Sequence, residues 1–309
     1  MSGSSGLVAD PSGVSVTAEA LLGLRRHLRP DLGGAWRPDP RPAGFPGRRR
    51  GAGLEAVDVR VLVQGDDLRH LDRNVTARTG VPHVRSYREE RGATALLLAD
   101  FRKVMFWGTR RTLRSVAAAE ALALAGWRAV EAGGRVGLYA FGMGEPLFVP
   151  PRSRMLGMTA VAGGLALAHS TALEAIASTN ASGPDLASAL EAGVRLAPTG
   201  ATLVLATALD DEGSDFSALA GALARRGGLK VVLLRDAFET EPPPGHYPFV
   251  DRDQRQRWAR VSRQDFDPDR HRHRLHHLQR LGVPVLPIAV QAHPEMMARD
   301  WDEFDGPTR

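Results

Sequence analysis

The pattern of apolar and polar residues becomes regular after residue 93. Short apolar runs of strand length alternate there with longer segments whose apolar residues recur every three or four positions. The runs predict strands at 94–99, 135–141, 202–207, 229–234 and 283–290, and the periodic segments predict helices at 113–127, 156–176, 186–196, 216–226, 269–281 and 294–301. This alternation predicts an α/β domain over residues 94–304, with a mostly parallel central sheet and helices on both faces.

Two local signals add detail to this domain. The proline-rich stretch Pro242–Gly245 breaks the rhythm and predicts a hairpin inserted near residues 240–263. Ser182 and Asp185 have the spacing of a capping box, and Pro184 is expected in the first turn of the helix that follows them.

The residues before the domain have a different composition. Residues 1–15 are small and polar, which predicts a disordered tail, and residues 16–93 form an N-terminal extension. Apolar spacing in the extension predicts a helix at 16–28 and strands at 55–63 and 81–87. Pro38–Arg50 is rich in proline, glycine and arginine, which predicts an arm rather than part of a core.

Composition limits the compartment and the kind of site. The chain has no cysteine, which excludes disulfides and thiolate metal sites and favours a reducing compartment. Its net charge of +5 comes from 40 basic and 35 acidic residues that are well interspersed, as on a mixed solvated surface. The N-terminus does not resemble a secretory signal, and apolar runs such as Ala95–Ala99 are too short to cross a bilayer. We therefore expect a cytoplasmic protein.

The familiar catalytic motifs are absent from the sequence. Phosphate-binding glycine loops, the GxSxG nucleophile elbow and HExxH do not occur. His273 and His277 have a spacing that can bind zinc, but arginines surround them, so a solvated basic helix is the better interpretation. Asp66 and Asp67 fit a turn, and a hydrolase that used either of them would need a buried cleft. We expect no enzymatic activity and no cofactor.

A series of motifs in the extension resembles the bacterial domain-of-unknown-function 58 family, which contains a von Willebrand factor A-like fold. The ordered matches are Gly51–Glu55, Val59–Arg60, Gly65–Arg69, Leu71–Asp72, Ala77–Gly80 and Arg88–Arg91, with support from Gly134–Leu138, Pro242–Asp251 and Leu281–Pro284. The resemblance covers roughly residues 16–304 and implies a von Willebrand A or Rossmann-like architecture. The charged and turn residues of these motifs could hold the N-terminal extension against the sheet or could form a surface for a partner. They are Arg60, Gly65, Asp66, Asp67, Arg69, Asp72 and Arg78.

The resemblance also implies a metal site that this chain has lost. Von Willebrand A domains hold Mg²⁺ with Asp-x-Ser-x-Ser, a threonine and a second aspartate, all oxygen ligands. The corresponding positions here are Asp100, Arg102, Val104, Pro184 and Ala208, and Asp210 leaves the last assignment open by two residues. One ligand of five is thus retained, and we expect no bound metal. Arg102 either pairs with Asp100 where the metal would lie, or points to solvent while Asp100 caps its strand.

The resemblance implies an adaptor rather than an enzyme. Similar domains are associated with MoxR-type AAA+ ATPases, so such an ATPase is the expected protein partner, in protein complex assembly or maturation. One alternative is a nucleic-acid-binding protein that uses the arginine-rich loop Arg48–Arg50 and the helix around Arg272. Another is a metal-dependent adhesion module whose site is rebuilt from other residues.

Overall fold

The computed structural model describes residues 13–29, 55–63, 71–88, 93–178, 183–239, 242–250, 256–261 and 269–306. The chain forms two compact units, one of residues 44–92 and one that combines 1–43 with 93–309. The predicted extension 16–93 therefore divides, because its first helix belongs to the larger unit. Residues 1–12 of the predicted tail 1–15 lie outside the described residues.

The described elements follow one another in this order: α1 (Ala18–Gly23), β1 (Glu55–Val61), α2 (Arg73–Thr79), β2 (His83–Arg88), β3 (Thr94–Phe101), α3 (Arg114–Glu131), β4 (Arg135–Gly142), β5 (Leu147–Ser153), α4 (Arg154–Ser178), α5 (Leu186–Leu196), β6 (Thr202–Thr207), α6 (Phe216–Ala224), β7 (Leu229–Arg235), β8 (Gly245–Val250), β9 (Gln256–Val261), α7 (Arg270–Arg280), β10 (Val285–Ala289) and α8 (Pro294–Asp305). In the smaller unit, β1 and β2 pair antiparallel.

The larger unit contains a six-stranded sheet in the order β10-β7-β6-β3-β4-β5. Every neighbouring pair is parallel except β4 and β5, which are antiparallel at one edge. The predicted α/β class with a mostly parallel sheet is confirmed. The predicted hairpin is also present, as the antiparallel pair β8 and β9.

Helices cover both faces of this sheet, which explains why its central strand is uniformly apolar. Alternate residues of β3 point to opposite faces: Leu97 joins a core with α1, α3, α4 and α8, whereas Leu96 and Leu98 join a core with α5, α6 and α7. Both cores end at the carboxyl ends of the parallel strands, and the polar residues of the candidate site lie at those strand ends.

Helix α4 has an unusual composition for a helix at the surface of a domain. Its segment Arg154–Ile176 is long and apolar enough to cross a membrane, with a mean hydropathy of 1.3 in the most apolar window. It packs on α3, β4 and β5, and 44% of that window is buried. Core helices meet the same criteria, so the segment by itself is weak evidence for a membrane span.

Candidate functional site

The candidate site lies at the carboxyl ends of β3 and β6, the region of an open parallel sheet where ligands usually bind. These strands pair in parallel with Ala99 beside Ala206, which brings Asp100 next to Thr207. Both side chains are fully buried. The register of the sheet therefore places a carboxylate and a hydroxyl together without help from any loop.

Arg102 binds Asp100 through two side-chain hydrogen bonds. Its Nε donates to Oδ1 at 2.9 Å and its Nη2 donates to Oδ2 at 2.8 Å, while the Arg102 backbone N–H donates to Oδ1 at 3.1 Å. The two side chains are 5% and 0% exposed. Of the two predicted orientations of Arg102, the one that pairs with Asp100 is the one observed.

The charge of Arg102 is well stabilised despite its burial. Burial lowers the pKa of this guanidinium, but its hydrogen bonds to Asp100 and the negative charge there outweigh that effect, so the pKa lies above its usual value. Thr207 Oγ1 donates to Asp100 Oδ2 at 2.8 Å, so each carboxylate oxygen accepts two hydrogen bonds. Sequence patterns gave no sign of this role for Thr207, since a buried strand-end threonine is common.

The loop after β6 closes over Arg102. Arg102 donates from Nη2 to the Asp210 carbonyl at 2.8 Å and from Nη1 to the Asp211 carbonyl at 3.0 Å. Leu209 and Asp211 have φ angles of 59° and 50°, in the left-handed region that non-glycine residues rarely adopt. This strained turn presents two carbonyl oxygens to one guanidinium, and those charge-assisted bonds help to offset its cost.

Two more arginines bind the Asp210 side chain. Arg114 Nη1 lies 3.4 Å from Oδ2, and Arg274 pairs with Oδ1. Arg274 also donates to the Ala208 carbonyl at 2.8 Å, and Arg114 pairs with Glu239. The Asp210 carboxylate therefore ties α3, α7 and the loop after β6 to one another. Each oxygen of this carboxylate is held by an arginine.

The residues at the predicted metal positions do not fit a divalent cation. Val104, Pro184 and Ala208 offer no side-chain oxygen, and the Arg102 guanidinium lies against Asp100. The loop before α5 is also close, since a Cβ at Gly183 would lie 3.3 Å from Arg102 Cγ. Within the part of the chain that the structure describes, no group of three or more histidine, aspartate or glutamate residues could hold a metal ion.

The helix start near this site differs from the predicted capping box. Asp185 is the N-cap of α5, and its Oδ1 accepts from the Ser188 N–H at 2.7 Å. Bonds from Ser188 and the nearby charge of Arg102 hold the pKa of Asp185 below its usual value. Pro184 therefore precedes the helix instead of lying in its first turn, and Ser182 lies outside the described residues.

A surface depression of about 470 Å³ opens beside the buried pair. It is lined by Val104, Leu209, Asp210, Asp211, Glu212 and Arg274. Burial raises the pKa of Glu212, and the charges of His277 and Arg274 oppose that shift. The depression therefore presents the carboxylates of Asp210, Asp211 and Glu212 together with the Arg274 guanidinium.

The structure accounts for only part of the predicted family signature. Asp72 is the N-cap of α2 and accepts from the N–H groups of Asn74 and Val75 at 3.0 and 3.1 Å. Arg78 is exposed at the end of that helix, and Arg60 lies in β1, where its side chain is not described. Gly65, Asp66, Asp67 and Arg69 lie outside the described residues, as does the loop Arg48–Arg50.

The histidines of α7 do not form a common site. His277 lies 2.9 Å from Ser217 Oγ, whereas burial lowers the pKa of His271 to about 4, with Arg235 adding to the effect. His273 is exposed. The predicted basic helix is present and only partly solvated, since Arg274 is half-buried in the Asp210 network.

A buried serine–histidine pair lies under the site and was not foreseen from the sequence. Ser115 Oγ lies 3.0 Å from His169 Nε2, and the residues are 0% and 1% exposed. Burial lowers the pKa of His169 to about 4, and its ring packs edge-on against Phe101. A substrate cannot reach this pair, so it functions as a neutral hydrogen bond within the core.

Fold and site together define an α/β protein with a buried carboxylate–guanidinium pair at the carboxyl end of a central strand of its sheet. The family model described as "Protein of unknown function DUF58" matches residues 58–277. This match spans more than half of the chain, so the protein belongs to the DUF58 family. No curated protein matches the chain.

Proposed function

We propose that this protein is a cytoplasmic, non-enzymatic adaptor with a von Willebrand A-like domain that binds its protein partner without a metal ion. The Arg102–Asp100 pair carries the proposal. A guanidinium occupies the side of Asp100 where the resemblance would put Mg²⁺, and it makes four directed hydrogen bonds there, two to Asp100 and two to the carbonyls of Asp210 and Asp211.

Electrostatics argues against a metal in addition to this arginine. Two unit charges 4 Å apart interact with about 4 kcal/mol at a surface-like dielectric, so a divalent ion would be repelled by roughly twice that amount. Asp100 already accepts four hydrogen bonds, and Asp210 is engaged by Arg114 and Arg274. Rebuilding the site around a metal would require breaking both sets of contacts.

The partner class comes from the resemblance, and the depression beside the pair supplies a surface for it. A MoxR-type AAA+ ATPase is the proposed partner, in the assembly or maturation of protein complexes. The rim residues Asp211 and Glu212 are acidic, so a basic segment of the ATPase is the complementary surface. Rim charges of this kind mainly affect the association rate and its salt dependence.

The first test is a titration of the purified protein with Mg²⁺ and Mn²⁺, followed by thermal unfolding and calorimetry. A site saturated at 100 times its Kd would stabilise the fold by about 2.7 kcal/mol. We expect no binding heat and no shift at millimolar metal. Specific binding at low concentration would refute the metal-free site.

A second test addresses the partner. Binding of a MoxR-type ATPase is measured by biolayer interferometry with wild type and Glu212→Lys, in the absence of nucleotide and both with and without a chelator. We expect a reduced association rate for Glu212→Lys and no effect of the chelator on wild type. The matched control is Glu191→Lys on α5, which removes an exposed carboxylate away from the depression. Equal effects of both variants, or no binding by wild type, would argue against this surface.

A further inference from the structure

One face of α4 is uncharged and exposed or half-buried along several turns, with threonine and serine side chains among its exposed positions. Leu156 and Leu167 are 62% and 57% exposed, and Met155 is 49% exposed. No charged residue occurs between Arg154 and Glu174. Isolated exposed leucines are common, but a continuous uncharged helix face of this length usually marks a contact surface.

The residues on this face follow the spacing of a helix–helix seam. Leu156, Ala160, Gly163, Leu167 and Ser170 are separated by four, three, four and three positions, the repeat that keeps one stripe facing a partner helix. All five are exposed or half-buried. A Cβ added at Gly163 would meet no atom within 4 Å, so a second helix could approach closely there.

Membrane insertion does not fit the opposite face of the same helix. Met158, Val161, Ala162 and Leu165 are fully buried, in the core shared with α3 and β4. Spanning a bilayer would require pulling these residues out of the domain. The neighbouring edge strand β5 is also a poor docking element, because Pro150 and Pro151 have no N–H to offer an added strand.

We propose that this face binds the same face of a second copy, as an antiparallel helix pair around a two-fold axis. An axis between positions 161 and 162 places Leu156 opposite the partner copy's Leu167 and Ala160 opposite its Gly163, each contact occurring twice. Large residues then flank small ones at the closest approach, and the surface is complementary to itself, as a two-fold interface requires.

Charge also favours the antiparallel arrangement. The start of α4 carries Arg152 and Arg154, and its end carries Glu174. In an antiparallel pair each basic start lies toward the acidic end of the other copy, and the two helix dipoles oppose each other. A parallel pair would place the two basic starts side by side.

The size of the face predicts a weak and reversible dimer. The fifteen residues from Leu156 to Ser170 span about 21 Å, on a helix about 10 Å wide. This footprint is smaller than the roughly 800 Å² per partner of a standard interface. We therefore expect a dimer that dissociates at micromolar concentration and forms only as the concentration approaches the millimolar range.

The experiment combines sedimentation velocity with cysteine cross-linking. Wild type is expected to shift from monomer to dimer between micromolar and about 0.5 mM protein, whereas Leu167→Glu raises the Kd at least about tenfold. Met296→Glu on α8 is the matched control, since Met296 is 56% exposed on another helix, and it should leave the Kd unchanged.

Cross-linking tests the orientation, and the chain has no native cysteine to interfere. Oxidation of a mixture of Leu156→Cys and Leu167→Cys should give mainly the mixed disulfide, since opposed Cβ atoms must approach within about 4.5 Å. A monomer at all concentrations, preferential 156–156 cross-links, or equal effects of the Leu167 and Met296 variants would overturn the proposal. Flotation of wild type with neutral phosphatidylcholine vesicles, abolished by Leu167→Glu, would also overturn it in favour of a lipid surface.

Discussion

Replacing Arg102 with methionine tests the buried pair most directly. Methionine keeps most of the side-chain volume and removes the charge and all donors. The change leaves Asp100, which is 0% exposed, with only the Thr207 hydroxyl and the residue-102 N–H as donors. It also removes the side-chain donors that the Asp210 and Asp211 carbonyls accept from Arg102.

The expected loss of unfolding free energy is large because a buried charge is left uncompensated. Breaking one partner of a buried ion pair costs about 3–5 kcal/mol. For a domain of this size each kcal/mol corresponds to about 2–4 °C, so the melting temperature should fall by roughly 6–20 °C. Asp100→Leu together with Arg102→Met should be less damaging than the sum of the single changes, with a coupling of about 2–3 kcal/mol.

Urea unfolding followed by circular dichroism measures these values, and differential scanning calorimetry separates the larger unit from the smaller one. The double-mutant cycle is the critical comparison, because it removes effects of packing that each substitution has alone. If Arg102→Met lowers the unfolding free energy by less than about 1 kcal/mol, or if the effects of the two changes add to within about 0.5 kcal/mol, the pair does not stabilise the carboxyl end of β3.

Three other predictions follow from the contacts of the larger unit. The pKa of His169 is lowered to about 4, so between pH 6.5 and pH 4 the unfolded chain takes up a proton that the folded state excludes. The free energy of unfolding should therefore fall by up to about 3 kcal/mol over this range, and urea titrations should show a weaker pH dependence for His169→Gln. Asp210→Asn should cost about 1–3 kcal/mol because two arginines lose a carboxylate, whereas Glu191→Gln in an exposed pair should cost less than about 1 kcal/mol. Gly142→Ala should prevent folding or cost more than about 3 kcal/mol, since its Cβ would lie 2.1 Å from the Phe101 carbonyl oxygen, whereas Gly163→Ala should be tolerated in a thermal melt.

The main elements of the sheet could be predicted because burial on both faces produces unmistakable apolar runs. The strand 202–207 and the helix 186–196 were predicted with the observed limits. Two elements escaped prediction for physical reasons. Helix α2 has no buried residue among those described, so no periodicity marks it, and β5 contains Pro150 and Pro151, which are tolerated only because it lies at the sheet edge.

The candidate site was harder to predict than the fold. Asp100 and Arg102 are two positions apart, so their pairing could be considered from the sequence alone. Thr207 and Asp210 are more than a hundred residues from Asp100, and only the pairing of β3 with β6 brings them close. The left-handed conformation of Leu209 and Asp211 could not be predicted, because neither residue is a glycine or an asparagine.

The guanidinium beside Asp100 has a kinetic consequence. A bound metal ion leaves and returns, so the occupancy of its site follows the concentration of the free ion and can be reset by competition. A cation carried by the backbone has no dissociation step, and its residence time at Asp100 equals the lifetime of the folded domain. The positive charge beside Asp100 therefore does not vary with the concentration of any free ion.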